Sequence, residues 1–389
     1  IHEVGLEETH MNINTKILHD YPVIDPVTGA SSIPKYQTST FHQKNVFTHT
    51  GFSYTRFGNP TVEAAEKCIA SLENAQFGLA FSSGMAAINA VLFLLSKGDH
   101  LVLGKNIYGG TFQSIHLFLA RFGIDCTFVD ETDIDSWQKA IKKETKMFYI
   151  ETPSNPLLTI TDIKKVTELA NEYQILTVAD NTFMTPISQH PLDLGVDIVI
   201  HSATKFINGH SDVVAGLVAT NNEELYQQLK EHQKALGGIL GPEDAWLLLR
   251  GVKTLGLRME KSVRNASELA NFLVNHPKVT NVYYPGLEQH AGHSIHQKQC
   301  EDCGAILSFE VDSVKQIETL FTHCRVPIVA VSLGGVESIL SYPWAMSHAS
   351  MPEKDRLAMG VTETLVRLSC GIEDVEDLIA NLDDALNAM

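Results

Sequence analysis

Cysteine is scarce in this sequence, six residues in 389, which excludes a disulfide-stapled scaffold. No stretch approaches the roughly 18 consecutive apolar residues of a membrane-spanning helix. No basic start leads into an apolar run, so a secretory leader is not expected. Basic residues are also short, 29 Lys and Arg against 46 Asp and Glu, for a formal net charge of −17. Proteins that grip a nucleic-acid backbone present basic surface; this balance argues against nucleic-acid and anionic-membrane partners. The expectation is a reducing, cytoplasmic, globular protein. What is present suits that: 44% hydrophobic and 19% charged residues can build a large buried core. Single cores stop growing near roughly 250–300 residues, so more than one domain is predicted.

Residues 1–10 precede the first methionine, Met11, and read as a linker remnant. Residues 11–60 carry scattered Pro and Gly but also Tyr36, Phe41, Phe47, Phe52, Tyr54 and Phe57. Such an aromatic-rich arm needs a host surface, its own domain or a neighbouring subunit. From residue 61 the pattern turns regular. Short apolar runs at 78–81, 100–103, 147–150, 175–179, 198–201 and 217–219 alternate with helical patterns at 61–72, 85–95, 109–122 and 163–173. That rhythm predicts a mostly parallel α/β sheet covered on both faces. After about residue 240 it changes: helices at 242–257, 262–276 and 372–389, strands at 279–284, 305–309 and 366–369. The expected organisation is an arm over 11–60, a large domain over 61–255 and a smaller α+β domain over 256–389.

Functional groups on such sheets lie beyond the carboxyl ends of the strands. Glu151 to Asn155 follow one strand, Asp180 and Asn181 another, Ser202, Thr204 and Lys205 a third. The turn Ser82-Ser83-Gly84 opens a helix and has the form of an anion site, although ordinary serine capping explains it equally. A lysine near a phosphate turn and an acid permits a Schiff base to pyridoxal phosphate; a solvated surface lysine is the plain alternative.

The stretch Asp197-Ile-Val-Ile-His-Ser-Ala-Thr-Lys-Phe-Ile-Asn-Gly-His-Ser211 resembles the signature of the Cys/Met-metabolism family of pyridoxal-phosphate enzymes. Further resemblances follow in the family's order: Tyr54-Thr-Arg-Phe-Gly-Asn-Pro-Thr61, Ser82-Ser-Gly-Met-Ala-Ala87, Tyr108-Gly-Gly-Thr111, Glu151-Thr-Pro-Ser-Asn-Pro156, Asp180-Asn-Thr-Phe183, Ser332-Leu-Gly-Gly-Val-Glu337 and Arg367-Leu-Ser-Cys-Gly371. They cover essentially everything from Met11 on. The resemblance implies a fold-type I, aspartate aminotransferase-like architecture and pyridoxal 5'-phosphate as cofactor. It implies that Lys205 carries the cofactor and moves protons, that Asp180 pairs with the ring nitrogen, and that Tyr108 stacks on the ring. Ser83, Gly84, Met85, Ser202 and Thr204 would hold the phosphate, and Asn155 the phenolic oxygen. Arg367 would clamp the substrate carboxylate, helped by Asn155 and Ser332. Tyr54 and Arg56 would reach the site of the adjacent subunit in a homotetramer built as a dimer of dimers.

The same resemblance implies a carbon–sulfur lyase acting on small amino acids. The expected reaction is α,γ-elimination of L-cystathionine to cysteine, 2-oxobutanoate and ammonia, with side β-elimination of cysteine. Cystathionine β-lyase, cystathionine γ-synthase and a non-catalytic paralogue are the alternatives. Gly110 stands where the methionine γ-lyases carry cysteine, and Glu337 is expected to meet the distal ammonium of cystathionine. Val331 replaces a glutamate common in relatives, and Trp344 a small residue near the entrance. His290, His293 and His296 precede Cys300-Glu-Asp-Cys303, but one CxxC makes a weak zinc motif, and no metal is expected. Cys370 reads as a small buried hydrophobe.

Overall fold

The computed structural model describes residues 11–48, 51–349 and 351–389; the linker expected over 1–10 lies outside them. Strands β1 (Phe77–Phe81), β2 (His100–Gly104), β3 (Asp125–Val129), β4 (Thr145–Glu151), β5 (Leu176–Asp180), β6 (Ile198–Ser202) and β7 (Gly216–Thr220) form one sheet in the order β1-β7-β6-β5-β4-β2-β3. The five strands from β6 to β3 are mutually parallel. β7 is antiparallel to both β6 and β1, so β1 points the same way as β6. The carboxyl ends of six strands therefore share one edge.

Alternation along the strands sorts side chains between two cores. Met147 and Tyr149 face one with Val178, Ile198 and Ile200, beneath helices Gly84–Leu92 and Glu223–Leu236. Phe148, Ile150, Ala179 and Val199 face the other, beneath Pro60–Leu72, Ile163–Glu172 and Pro242–Val252. Burial on both faces is why these strands read as unbroken apolar runs.

A second sheet orders β8 (Asn281–Tyr283), β9 (Ile306–Glu310), β10 (Ile328–Val329), β11 (Ile339–Ser341) and β12 (Leu365–Ser369) as β10-β11-β12-β9-β8. It is antiparallel except for the β10–β11 pair. Its core takes Leu307, Phe309, Leu368 and the C-terminal helix Val375–Asn387.

Helix Leu255–Val274 joins the two bodies. Leu255 and Met259 pack into the large core, Ala266, Leu269, Ala270 and Leu273 into the small one. The boundary drawn at 255/256 thus falls at the first residue of a helix, not in a linker. The break between the long helices comes at 253–254 rather than 258–261, and the pattern expected as one helix over 109–122 divides into Gly109–Leu117 and a 3₁₀ turn, Leu119–Phe122.

The arm begins with helix Ile13–His19, whose Ile17 is buried in the large core. Lys35 pairs with Glu243 at 2.8 Å, and the Trp246 indole donates to the Ile33 carbonyl at 3.2 Å. Much of the rest of the arm is exposed, Phe47 to 92%. Among the described residues no helix is long and apolar enough to cross a membrane.

Candidate active site

Ser83, Glu151, Asp180 and Ser202 stand at the shared edge because β1, β4, β5 and β6 end there. They line a cavity of about 480 Å³ with Gly84, Met85, Tyr108, Asn155, Thr204, Lys205, Ser332 and Arg367. Every residue assigned to cofactor or substrate is thus brought together, apart from Tyr54, Arg56 and Glu337.

Lys205 lies in the turn after β6 and donates from Nζ to Ser332 Oγ at 2.7 Å. Burial, reinforced by the Arg367 guanidinium, pushes its ammonium down to about 8. The turn is held from behind by a residue the sequence does not announce. Arg258, buried on helix Leu255–Val274, donates to the carbonyls of Phe206 at 2.6 Å, Ile207 at 3.1 Å and Gly251 at 2.9 Å. In front, Gly334 sits at φ +78°, where an added Cβ would stand 2.4 Å from the Phe206 nitrogen. Only glycine lets the 332–334 loop lie that close. Ser332 itself adopts φ +91°, a conformation costing about 1–3 kcal/mol outside glycine.

Asp180 accepts from the Thr182 hydroxyl at 2.6 Å and the Thr182 N–H at 3.1 Å, with the Tyr149 hydroxyl at 3.4 Å. Burial raises its acid above the usual range, while those donors and His201 oppose the rise. Tyr108 caps helix Gly109–Leu117 and is partly exposed toward the cavity. A Cβ on Gly110 would come within 2.5 Å of the Tyr108 ring and 2.7 Å of the Met85 sulfur, so Gly110 allows this ring position.

Across the cavity, Arg367 on β12 donates from Nη1 to Asn155 Oδ1 at 2.9 Å, and from Nη2 to the Ser332 carbonyl at 2.6 Å and Ser341 Oγ at 3.2 Å. Its Nε is buried and has no partner among the described residues.

Four features fit pyridoxal phosphate and an amino acid. The first turn of helix Gly84–Leu92 presents main-chain N–H groups, and a Cβ on Gly84 would crowd Ser202 Oγ at 2.9 Å, so glycine keeps this anion cradle open. Ser83 Oγ already caps the Ala86 N–H and Thr204 Oγ1 holds the Ala215 N–H, which leaves the main chain and Ser202 as the freest donors. A buried carboxylate, Asp180, suits a ring cation. The fixed, partly unpaired Arg367 suits a carboxylate.

Tyr54 and Arg56 do not reach this cavity. They flank a separate cleft of about 340 Å³, and Arg56 Nη1 donates to the Lys234 carbonyl at 3.0 Å. Glu337 is exposed and is not among the cavity-lining residues. The expected meeting of Glu337 with the distal ammonium of cystathionine therefore finds no cavity contact within one protomer. Trp344 is not in the lining either; it packs against Arg356, whose guanidinium lies 3.8 Å over its ring. Val331 does line the cavity. The histidines near Cys300 turn to carbonyls: His290 to Leu158, His293 to Pro285, His296 to Asp302. Among the described residues no group of three or more His, Cys, Asp or Glu could hold a metal ion. Cys370 is fully buried in the small core. Glu151 and Thr182 are lining residues to which the sequence motifs assign no role; Glu151 ends β4 and Thr182 lies two residues past the end of β5, the one signal that marks them.

A cystathionine beta-lyase MetC of Bacillus subtilis (strain 168) is 50% identical over 381 residues, 98% of this chain and 98% of its own. A cystathionine gamma-lyase of the same strain is 47% identical over 376 residues, 97% of this chain and 99% of its own. The crystal structure of cystathionine gamma-lyase from Lactobacillus plantarum complexed with L-serine matches with a TM-score of 0.95 at 43% identity, covering 97% of this chain and 99% of that one. The architecture is that of fold-type I, aspartate aminotransferase-like enzymes. With the family profile matching residues 14–387, this chain belongs to the Cys/Met metabolism PLP-dependent enzymes.

Proposed function

We propose that the protein is a pyridoxal-phosphate-dependent carbon–sulfur lyase that cleaves L-cystathionine. One observation carries the reading: a buried lysine and a two-pronged arginine clamp share Ser332, Lys205 through its hydroxyl and Arg367 through its carbonyl. An amino acid gripped by its carboxylate at Arg367 then presents its α-carbon toward the Lys205 amine. When bound, pyridoxal phosphate supplies an electron-withdrawing ring that takes up the pair left by proton loss from the α-carbon. Asp180 would keep the ring nitrogen protonated, and Tyr108 would hold the ring by stacking. The Lys205 amine, free in part at neutral pH, takes a proton from the substrate and returns one to the product. Tyr54 and Arg56, remote from their own cavity, complete the phosphate site of a second protomer in a homotetramer.

Two carbon–sulfur bonds are open to this machinery. The α,γ-elimination expected from the sequence yields cysteine, 2-oxobutanoate and ammonia; with Glu337 outside the cavity it rests on family resemblance. The α,β-elimination yields homocysteine, pyruvate and ammonia; the 50% identity to a beta-lyase supports it. Product analysis with L-cystathionine separates them. Absence of both oxo acids would overturn the lyase reading and leave the non-catalytic paralogue or the γ-synthase, the latter tested with an O-acylhomoserine and cysteine.

A further inference from the structure

Glu151, the last residue of β4, is buried and has both carboxyl oxygens on main-chain donors. Oε2 accepts from the Tyr108 N–H at 2.7 Å and Oε1 from the Asn155 N–H at 3.3 Å. One side chain thus ties down two segments of the cavity: the start of the helix that carries the stacking tyrosine, and the turn that carries the asparagine under the arginine clamp. Glu151 thereby supplies the acceptor for a main-chain donor at this helix entrance.

Glu151 also stands directly beside Asp180, since the two are register partners across β4 and β5. Adjacent strands are about 4.8 Å apart, so two acids at one register position on one sheet face are near neighbours. Around Glu151, the adjoining elements contribute Asp180 from β5, Glu131 from the loop after β3, and the phenols of Tyr108 and Tyr149. The cations of the site, Lys205 and Arg367, bond to Ser332, Asn155 and Ser341; among the described residues no ion pair to Glu151 is formed. Asp180 has two hydroxyls and an N–H turned toward its carboxylate. Two ionised carboxylates side by side in a dry site repel strongly, and one of such a pair retains its proton. Burial first, then the Asp180 charge, push the Glu151 acid well above the usual carboxylate range, against the opposing pull of the Tyr108 and Asn155 N–H donors.

We propose that Glu151 is a positioning residue that works as a neutral carboxylic acid, tying Tyr108 and Asn155 to the sheet and leaving Asp180 as the single carboxylate for the cofactor ring. The charges then balance, because one ring cation meets one anion, and the second acid provides shape and acceptors without a second charge. The inference rests on the reading of Asp180 as the ring partner, which Asp180→Asn tests separately by the loss of tight cofactor retention.

The experiment compares the wild-type holoenzyme with Glu151→Gln and Glu131→Gln by infrared difference spectroscopy at neutral pH. A protonated-carboxyl band should be present in wild type, survive Glu131→Gln and vanish in Glu151→Gln. A visible-absorption titration adds a second readout. Ionisation of Glu151 at alkaline pH shifts the cofactor band of wild type, and Glu151→Gln, which keeps the shape but cannot ionise, lacks that limb. Glu151→Ala loses the tie to Tyr108 and should weaken cofactor binding by about 2–10-fold, the scale of one net hydrogen bond. Should Glu151→Gln fail to fold, wild-type protein labelled with ¹³C in its glutamate carboxyls answers alone, through a protonated-glutamate band that persists in Glu131→Gln. A wild-type spectrum with no protonated glutamate, or a band unaffected by Glu151→Gln, would overturn the proposal whatever Asp180→Asn shows.

Discussion

The two walls of the cleft are built differently. The wall from the large sheet is set by strand ends: Glu151, Asp180 and Ser202 follow from the register of β4, β5 and β6, and Arg258 locks the Lys205 turn from behind. The wall from the small domain hangs on one strand residue, Arg367, and on the loop at 331–337, which carries a strained Ser332 and an exposed Val331 and then leaves the cavity before Glu337. The first wall is fixed by sheet register, whereas a side chain on the loop can change without disturbing a core.

The sharpest way to break this comparison is at the rigid wall. Lys205→Ala should lower turnover by at least about 10²–10⁴-fold, the range for losing a positioned acid–base group. Borohydride reduction and peptide mapping of wild type should label Lys205 and no other lysine. On the opposite wall, Arg367→Lys keeps the charge but loses the fork. It should lower kcat/KM by about 10–100-fold, mostly through KM, for charge-assisted bonds of about 1.5–3 kcal/mol. An effect confined to kcat would mean that Arg367 does not hold the substrate in the ground state.

The lowered Lys205 ammonium, near 8 rather than its usual 10.5, makes a graded prediction. Only the unprotonated amine captures an aldehyde, so apoprotein should take up pyridoxal phosphate about tenfold faster per pH unit up to about pH 8, then level off. A rate still climbing at pH 10 would show that the amine is not buried as described. Arg56→Ala should weaken cofactor binding about tenfold if the arm completes a partner's site. Unchanged affinity in an equilibrium titration would confine Arg56 to its contact with Lys234. Glu337→Ala should do least, with cystathionine cleavage and cysteine β-elimination both within about twofold of wild type, as for a surface residue. A selective loss on cystathionine in steady-state kinetics would return Glu337 to the substrate site, brought there by a second protomer or a moving loop.

The same contrast governs what could be read from the sequence. The strands feeding the site are legible because an apolar run buried on both faces has little else it can be. Strand β3, Asp-Cys-Thr-Phe-Val, lies on the sheet edge and mixes polar residues, so no run announces it. Helix Glu223–Leu236 is missed because its sequence is dominated by charged and polar residues, with only Leu229 and Gln233 fully buried. Lys205, Asp180 and Asn155 are legible because their motifs end or follow strands, and Arg367 because it stands within one. Glu337 and Trp344 lie outside the lining, and motif proximity along the chain says nothing about which side chains face a cavity. Arg258 lies 53 positions from Lys205, and no local pattern marks a contact of that kind.

Helix Leu255–Val274 behaves mechanically as a rod clamped at both ends. Its 20 residues span about 30 Å, one end set in each core, with Arg258 bolted to the turn that bears Lys205. A hinge between the bodies would have to bend this rod or pull an end from its socket. The two cores should therefore melt together. Thermal unfolding followed at Trp137 in the large core and by far-ultraviolet circular dichroism across both should trace a single transition.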